Sequence, residues 1–210
     1  MPKIPKTRST GSALPRQMRG NAGVGVPTFA RGKAFQLELD QYYLRTLRHT
    51  DASLEFTQWM NDPDVVTGMN IPKLNMSVEN LSRFIGTFDN LKKYIIGIFV
   101  KPDMQLIGFY QIDVDLKHRR GVITAAVGNR HWWGKGVFRT TARPMVDAFF
   151  ETRDIDKMTL RVTSSNKKIL YSLMTSSFSY EGCLKEEVLA PDGQRLDIHV
   201  FGRVKEKKTP

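Results

Sequence analysis

The segment Val127-Gly-Asn-Arg-His-Trp-Trp-Gly-Lys-Gly-Val137 restricts the folds open to this chain more than any other. It follows a β-like run from Gly121 to Val127 and precedes a helical stretch, 137–150, in which apolar Val137, Met145, Val146 and Phe149 are interrupted by Pro144. A strand that turns through glycines into a helix leaves several backbone N–H groups pointing outward at the helix start. The helix dipole adds partial positive charge there, so the turn suits a phosphate or pyrophosphate. Gly134 and Gly136 let backbone approach such a ligand closely. A P-loop is excluded, because Asn129 stands where its first glycine belongs and Gly136 where Ser or Thr must follow the lysine. A dinucleotide-binding fold is excluded too, since no βαβ of parallel strands precedes the turn.

The rest of the chain supplies a frame for that turn. An alternating strand is expected over 42–48, then a helix capped by Thr50 or Asp51 that ends near Asp62-Pro63. Ser77 caps a second helix. Three β-like runs follow, at 94–100, 106–114 and 121–127, with polar breaks between them. After the 137–150 helix come a strand (157–162), a helix (166–176) and a long strand (178–189). Pro191-Asp192-Gly193 then turns the chain back through 196–201. The order is β, α, α, β, β, β, α, β, α, β, β, with no internal repeat and no second domain. Met145, Met158 and Met174 are expected as core fillers. Phe56 and Trp59 divide between core and a substrate wall.

The net charge of +11 invites a nucleic-acid reading, but its location weakens it. Seven of those charges lie before Glu38 and three from Arg203 onward, which leaves +1 for the body. A near-neutral body with cationic ends argues against groove recognition and for polyanion or protein contact through an arm. Residues 1–37, rich in Gly and Pro, are expected to be a basic arm, 38–204 the folded domain, and 205–210 a basic tail. One cysteine, Cys183, rules out an internal disulfide framework and leaves too few thiols for a zinc site. No apolar run approaches the roughly 20 residues of a membrane helix, and the start lacks a secretory signal, so a reducing, cytoplasmic location is expected.

Trp133-Gly134-Lys135-Gly136 followed by a helix resembles the acyl-CoA motif of the GNAT superfamily, and within it the RimJ/RimL branch and its spermidine-acetyltransferase relatives. Asn166, twelve residues before Phe178, matches the family's asparagine in spacing. Phe178-Ser-Tyr-Glu-Gly182, with Asp197 and Gly202, resembles the branch's closing hairpin. The likeness runs from about Tyr42 to Val204. It implies an α+β, three-layer GNAT fold: a mixed, mostly antiparallel sheet with flanking helices and one parallel strand pair that splays apart. The pantetheine arm would lie in the splay like an extra strand, and the thioester carbonyl would face a backbone N–H near Val127 or Gly128. The implied cofactor-binding residues are Val127, Gly128, Trp133, Gly134, Lys135, Gly136, Val137, Phe138 and Asn166, with acetyl-CoA as co-substrate. The acceptor implied is a primary amine: a protein N-terminus, a polyamine or an amino sugar. A homo-oligomer is compatible with the branch.

The sequence departs from that pattern where the family does its proton transfer. Val122 stands in place of a glutamate, Leu173 in place of a tyrosine, Ile169 in place of a serine, Ser177 in place of a glycine and Thr141 in place of an acid. Acid–base help would then come from Tyr171, as proton donor to the thiolate, or from Asp113 or His131. The competing reading is a non-catalytic GNAT-fold module tethered in an assembly by its basic arm.

Overall fold

The computed structural model describes residues 32–69, 71, 75–190 and 192–207. Eight strands form one sheet: β1 (Gln36–Glu38), β2 (Tyr42–Thr46), β3 (Lys93–Val100), β4 (Gln105–Asp115), β5 (Arg120–Val127), β6 (Lys157–Thr163), β7 (Ser179–Leu189) and β8 (Arg195–Val204). Among the described residues five α-helices accompany them: α1 (Leu54–Asn61), α2 (Pro63–Gly68), α3 (Val78–Gly86), α4 (Val137–Thr152) and α5 (Lys167–Met174). The strands lie in the order β1-β2-β3-β4-β5-β6-β8-β7. Every neighbouring pair is antiparallel except β5 and β6, which run parallel. Parallel neighbours need a crossover connection, usually a helix, and α4 is that crossover.

The middle of the sheet is buried on both faces, and alternation along β3 divides the core in two. Tyr94, Ile96 and Ile98 face a cluster that holds Val137, Met145, Val146 and Phe149 of α4 with Leu170 and Leu173 of α5. Ile95 and Phe99 face the other cluster, built from Phe56, Trp59 and Met60 of α1 with Leu81 and Ile85 of α3. The result is the three-layer, mixed-sheet arrangement that the resemblance implies.

Several boundaries differ from expectation. The helix expected to be capped by Thr50 or Asp51 is capped by Ser53 and starts at Leu54, with Ser53 Oγ accepting the Phe56 N–H at 3.1 Å. Asp51 closes a single 3-10 turn and pairs with Arg45 at 2.7 Å instead. Asp62-Pro63 ends α1 as expected but also opens α2, with Asp62 as cap and Pro63 in the first turn, where a missing N–H costs nothing. The arm assigned to 1–37 is too long at its inner end. Phe35 is buried and stacks on Phe149 at 4.8 Å between ring centroids, and β1 starts at Gln36. The rest of that arm, 1–31, lies outside the described residues, as does Pro191 of the hairpin turn. Gly193 of that turn has φ +86°. Met145 and Met158 are buried, whereas Met174 ends α5 on its solvent side.

Candidate active site

The parallel pair is where the sheet opens. Its ladder runs from Arg120↔Lys157 to Ile123↔Leu160 and stops, so the last four residues of β5 have no partner on the β6 side. Register decides which backbone groups face that gap. Gly108 lies opposite Val127, and the Gly128 N–H donates to Ile107 O at 3.0 Å. Gly108 and Val127 are therefore a non-hydrogen-bonded pair, and Val127 turns its own N–H and C=O away from β4, into the gap. Ala125, two residues earlier, does the same. Of the two N–H groups expected to face a thioester, Val127 is thus free and Gly128 is already engaged on the opposite side. Gly128 has a packing reason to be glycine: a Cβ there would come within 2.1 Å of the Trp59 indole, which lies against it in the core.

The turn beyond β5 has the form its glycines suggest. Gly134 and Gly136 adopt φ +75° and +73°, the left-handed region that favours glycine, and Gly136 is the N-cap of α4. No side chain caps that helix and no acid lies in its first turn, so the first-turn N–H groups of Val137 and Phe138 are open to an anion. The two tryptophans brace the turn. Trp133 Nε1 donates to Val127 O at 2.6 Å, and Trp132 packs on the core edge-on to Tyr42. Cations gather on this face: Lys135 Nζ lies 4.9 Å above the Trp132 ring, Arg130 4.9 Å from the Trp133 ring, and Arg139 overhangs Gly136. A groove of about 360 Å³ continues from there between α4 and the end of α5, lined by Phe138, Arg139, Arg143, Ser176 and Ser177.

The acid–base candidates are not brought to the gap. Tyr171 is 74 % exposed on the solvent side of α5, and Leu173, at the family's tyrosine position, is fully buried. The helix is regular through these residues, so the distortion that Tyr171 would need to turn inward is not there. Asp113 pairs with Val122, five residues up β5 from Val127, or about 17 Å at the rise of a strand. His131 Nε2 is 2.7 Å from Lys135 Nζ at the surface. Tyr110 is buried against Thr141, their oxygens 2.6 Å apart, and burial pushes its hydroxyl far above its usual pKa. Asn166 does two jobs: its Oδ1 caps α5 at the Ile169 N–H (3.3 Å) and its Nδ2 donates to Gly68 O at the end of α2 (3.2 Å).

Two features went unforeseen. Arg130 binds Asp62 through a fork, Nε to Oδ2 at 3.0 Å and Nη2 to Oδ1 at 2.9 Å, and reaches Asp64 at 2.7 Å. Its hydrogen bonds to Asp62 and then Asp64 hold its pKa above the ordinary guanidinium value. Arg139 over Gly136 is the other; its spacing, three residues into the helix, was a readable signal. Among the described residues no group of three or more His, Cys, Asp or Glu is placed to hold a metal ion, and no helix is long and apolar enough to cross a membrane.

Comparison with known proteins agrees with this geometry. A family model described as an acetyltransferase (GNAT) domain matches residues 41–171. A relative described as uncharacterized N-acetyltransferase p20, from Bacillus licheniformis, is 25% identical over 174 residues, which is 80% of this chain and 96% of the relative. Among solved structures, spermidine N-acetyltransferase from Vibrio cholerae in complex with CoA and spermine superposes with TM-score 0.69 at 22% identity, over 79% of this chain and 96% of that one. Ribosomal-protein-S5-alanine acetyltransferase from Vibrio fischeri gives 0.72 at 15% identity, over 84% and 100%. RimL, a ribosomal L7/L12 α-N-protein acetyltransferase solved with coenzyme A, gives 0.72 at 13%, over 81% and 98%. At these identities the structures speak to the fold. The family match settles membership: this chain belongs to the GNAT acetyltransferases, whose co-substrate is acetyl-CoA.

Proposed function

We propose that this chain moves the acetyl group of acetyl-CoA to a primary amine by direct attack, with the β5–β6 gap as the reaction site. The observation that carries the reading is the early end of the parallel ladder, which leaves Val127 N–H pointing into an unpaired strand edge beside an uncapped helix start. When bound, acetyl-CoA supplies an activated acetyl thioester. The residues present fit such a ligand. The free backbone of Ala125 and the free N–H of Val127, whose carbonyl is taken by Trp133 Nε1, can pair with the amides of its pantetheine arm as a strand would. The N–H groups of Val137 and Phe138, with Gly134, Lys135 and Gly136, can hold its pyrophosphate. The groove bordered by Phe138, Arg139 and Arg143 suits its nucleotide end, where two guanidiniums would meet phosphate. Val127 N–H is then the donor available to a carbonyl oxygen as charge develops on it. Asn166 supports the site by fixing the start of α5.

Because none of the acid–base candidates lies at the gap, the proton of the amine is lost to solvent, and rate comes from proximity and orientation. The acceptor classes the reading admits are a protein N-terminal amine and a polyamine, as the names of the structural neighbours suggest, and an amino sugar. The test is thiol release from acetyl-CoA with a panel of a short peptide, spermidine and glucosamine. Transfer to one class identifies the acceptor. A protein that binds acetyl-CoA and acetylates none of them is a binding module, and the proposal falls.

A further inference from the structure

We propose that Arg130 is a positioning residue that clamps α2 across the open end of the β5–β6 gap and thereby fixes the wall the acceptor amine must approach. The inference rests on the acetyl-transfer reading for the role of that wall, but not for the clamp itself.

Both ends of α2 are held by side chains from the loops that follow β5 and β6. At its first end, Asp62 and Asp64 are both bound by Arg130, which stands three residues beyond the last residue of β5. At its other end, Gly68 O accepts from Asn166 Nδ2, and Asn166 stands three residues beyond the last residue of β6. The two strands that part company are thus tied to opposite ends of the same helix. The lengths agree. Six helical residues span about 9 Å at 1.5 Å each, and two strands with room for one more between them stand about 9.6 Å apart. Buried Val65 and Val66 seat the helix on the body.

The Arg130 end is the switchable one. The Asn166 end is a neutral amide bond, and Asn166 is held by its capping role as well. At the other end one guanidinium serves two carboxylates, and removing it leaves Asp62 and Asp64 as neighbouring negative charges at the start of a short helix. Arg130 also lies 4.9 Å from the Trp133 ring, and Trp133 Nε1 is bonded to Val127 O. One side chain therefore joins the acceptor wall, the phosphate turn and the strand edge that presents the free N–H. A surface ion pair kept for stability alone would not need that third contact. An exposed pair is also worth little by itself, so the contribution expected of Arg130 is local order rather than global stability.

The experiment is amide hydrogen exchange at Val65, Val66, Met69 and Ile71, whose N–H groups close the α2 turns, in wild type, Arg130→Ala and Arg130→Lys. It is paired with steady-state kinetics on whichever amine is accepted and with the acetyl-CoA Kd by calorimetry. In Arg130→Ala those amides should exchange at least tenfold faster while the melting temperature moves little. Acceptor KM should rise about five- to twentyfold, and the acetyl-CoA Kd should stay within about twofold. Lysine, a point charge that cannot fork two carboxylates, should fall between. About 1 M salt, with a Debye length near 3 Å, should move wild type toward the alanine variant. Unchanged exchange in Arg130→Ala overturns the clamp, whatever the enzyme does with amines. Faster exchange with an unchanged acceptor KM overturns the positioning role. Wild type that acetylates no amine sinks the acetyl-transfer reading, and the exchange result still decides the clamp.

Discussion

The phosphate turn can be tested by separating its backbone strain from its binding role. Gly136 has φ +73° and ψ +17°, and a Cβ built there has only the tip of the Arg139 guanidinium near it, at 3.6 Å. Gly136→Val therefore meets no wall of backbone, and its cost to the fold is that of a β-branched residue in the left-handed region, about 1–3 kcal/mol. At about 2–4 °C per kcal/mol for a domain of this size, the melting temperature should fall by roughly 2–12 °C. Gly193 offers the matched control: φ +86° in the β7–β8 turn, with nothing within 4 Å of its Cβ. Gly193→Val should lose a similar amount of stability. The two variants should part when acetyl-CoA is added. A ligand present at 100 times its Kd stabilises by about 2.7 kcal/mol, or roughly 5–11 °C here. Wild type and Gly193→Val should show that rise in a thermal melt, and Gly136→Val should not, because its side chain projects between the start of α4 and Arg139, where phosphate oxygens would sit. Equal ligand-induced shifts in all three proteins would refute the assignment of the turn.

Three further outcomes follow from the same geometry. With none of the acid–base candidates at the gap, kcat/KM should track deprotonation of the acceptor itself: a peptide α-amine should level off near about pH 8, whereas an alkylamine should still be rising at about pH 9.5; a shared plateau at lower pH would reveal a protein base. Tyr171→Phe should leave turnover within about twofold, since the ring is 74 % exposed, and a tenfold loss would restore Tyr171 as the proton donor. Deleting residues 1–35 should lower the melting temperature by about 6–20 °C relative to deleting 1–31, because Phe35 is buried on Phe149 and a lost core phenylalanine costs about 3–5 kcal/mol; equal melts would show that Phe35 is not part of the core.

What the sequence made legible is what local chemistry alone determines. Gly134 and Gly136 could be read because left-handed backbone at a strand-to-helix turn is a property of the residues themselves. The splayed pair was legible only through the family resemblance, since parallel pairing is a long-range fact. Asp62-Pro63 was read as a stop, yet the same two residues are a good start, a cap followed by a proline in the first turn. Phe35 was assigned to a basic arm because its neighbours are Gly, Lys and Ala, and a three-residue edge strand leaves almost no periodic trace. Gly128 was read as a ligand contact, whereas the Trp59 indole, sixty-nine residues earlier in the chain, is what excludes a side chain there. No spacing rule could have paired them.

The departures from the family pattern share one physical outcome. Thr141 and Leu173, which stand where an acid and a tyrosine are usual, are both fully buried, and Thr141 is held by Tyr110 and by Val137 O at 2.8 Å. An ionised acid at position 141 would be fully buried, and the neutral Tyr110 hydroxyl could give it a hydrogen bond but no compensating positive charge. In this chain both positions belong to the core, so they contribute packing and not titratable groups. Acetyl transfer tolerates the exchange better than most chemistry. A thiolate leaves with a conjugate-acid pKa near 8.5, so a dedicated proton donor is worth only about 10² in rate, whereas holding two reactants in attack geometry is worth far more. On the proposed reading, a site built on Val127 N–H, the glycine turn and an acceptor wall held by Arg130 draws on the larger of these two contributions, and the residues to test first are those that hold position.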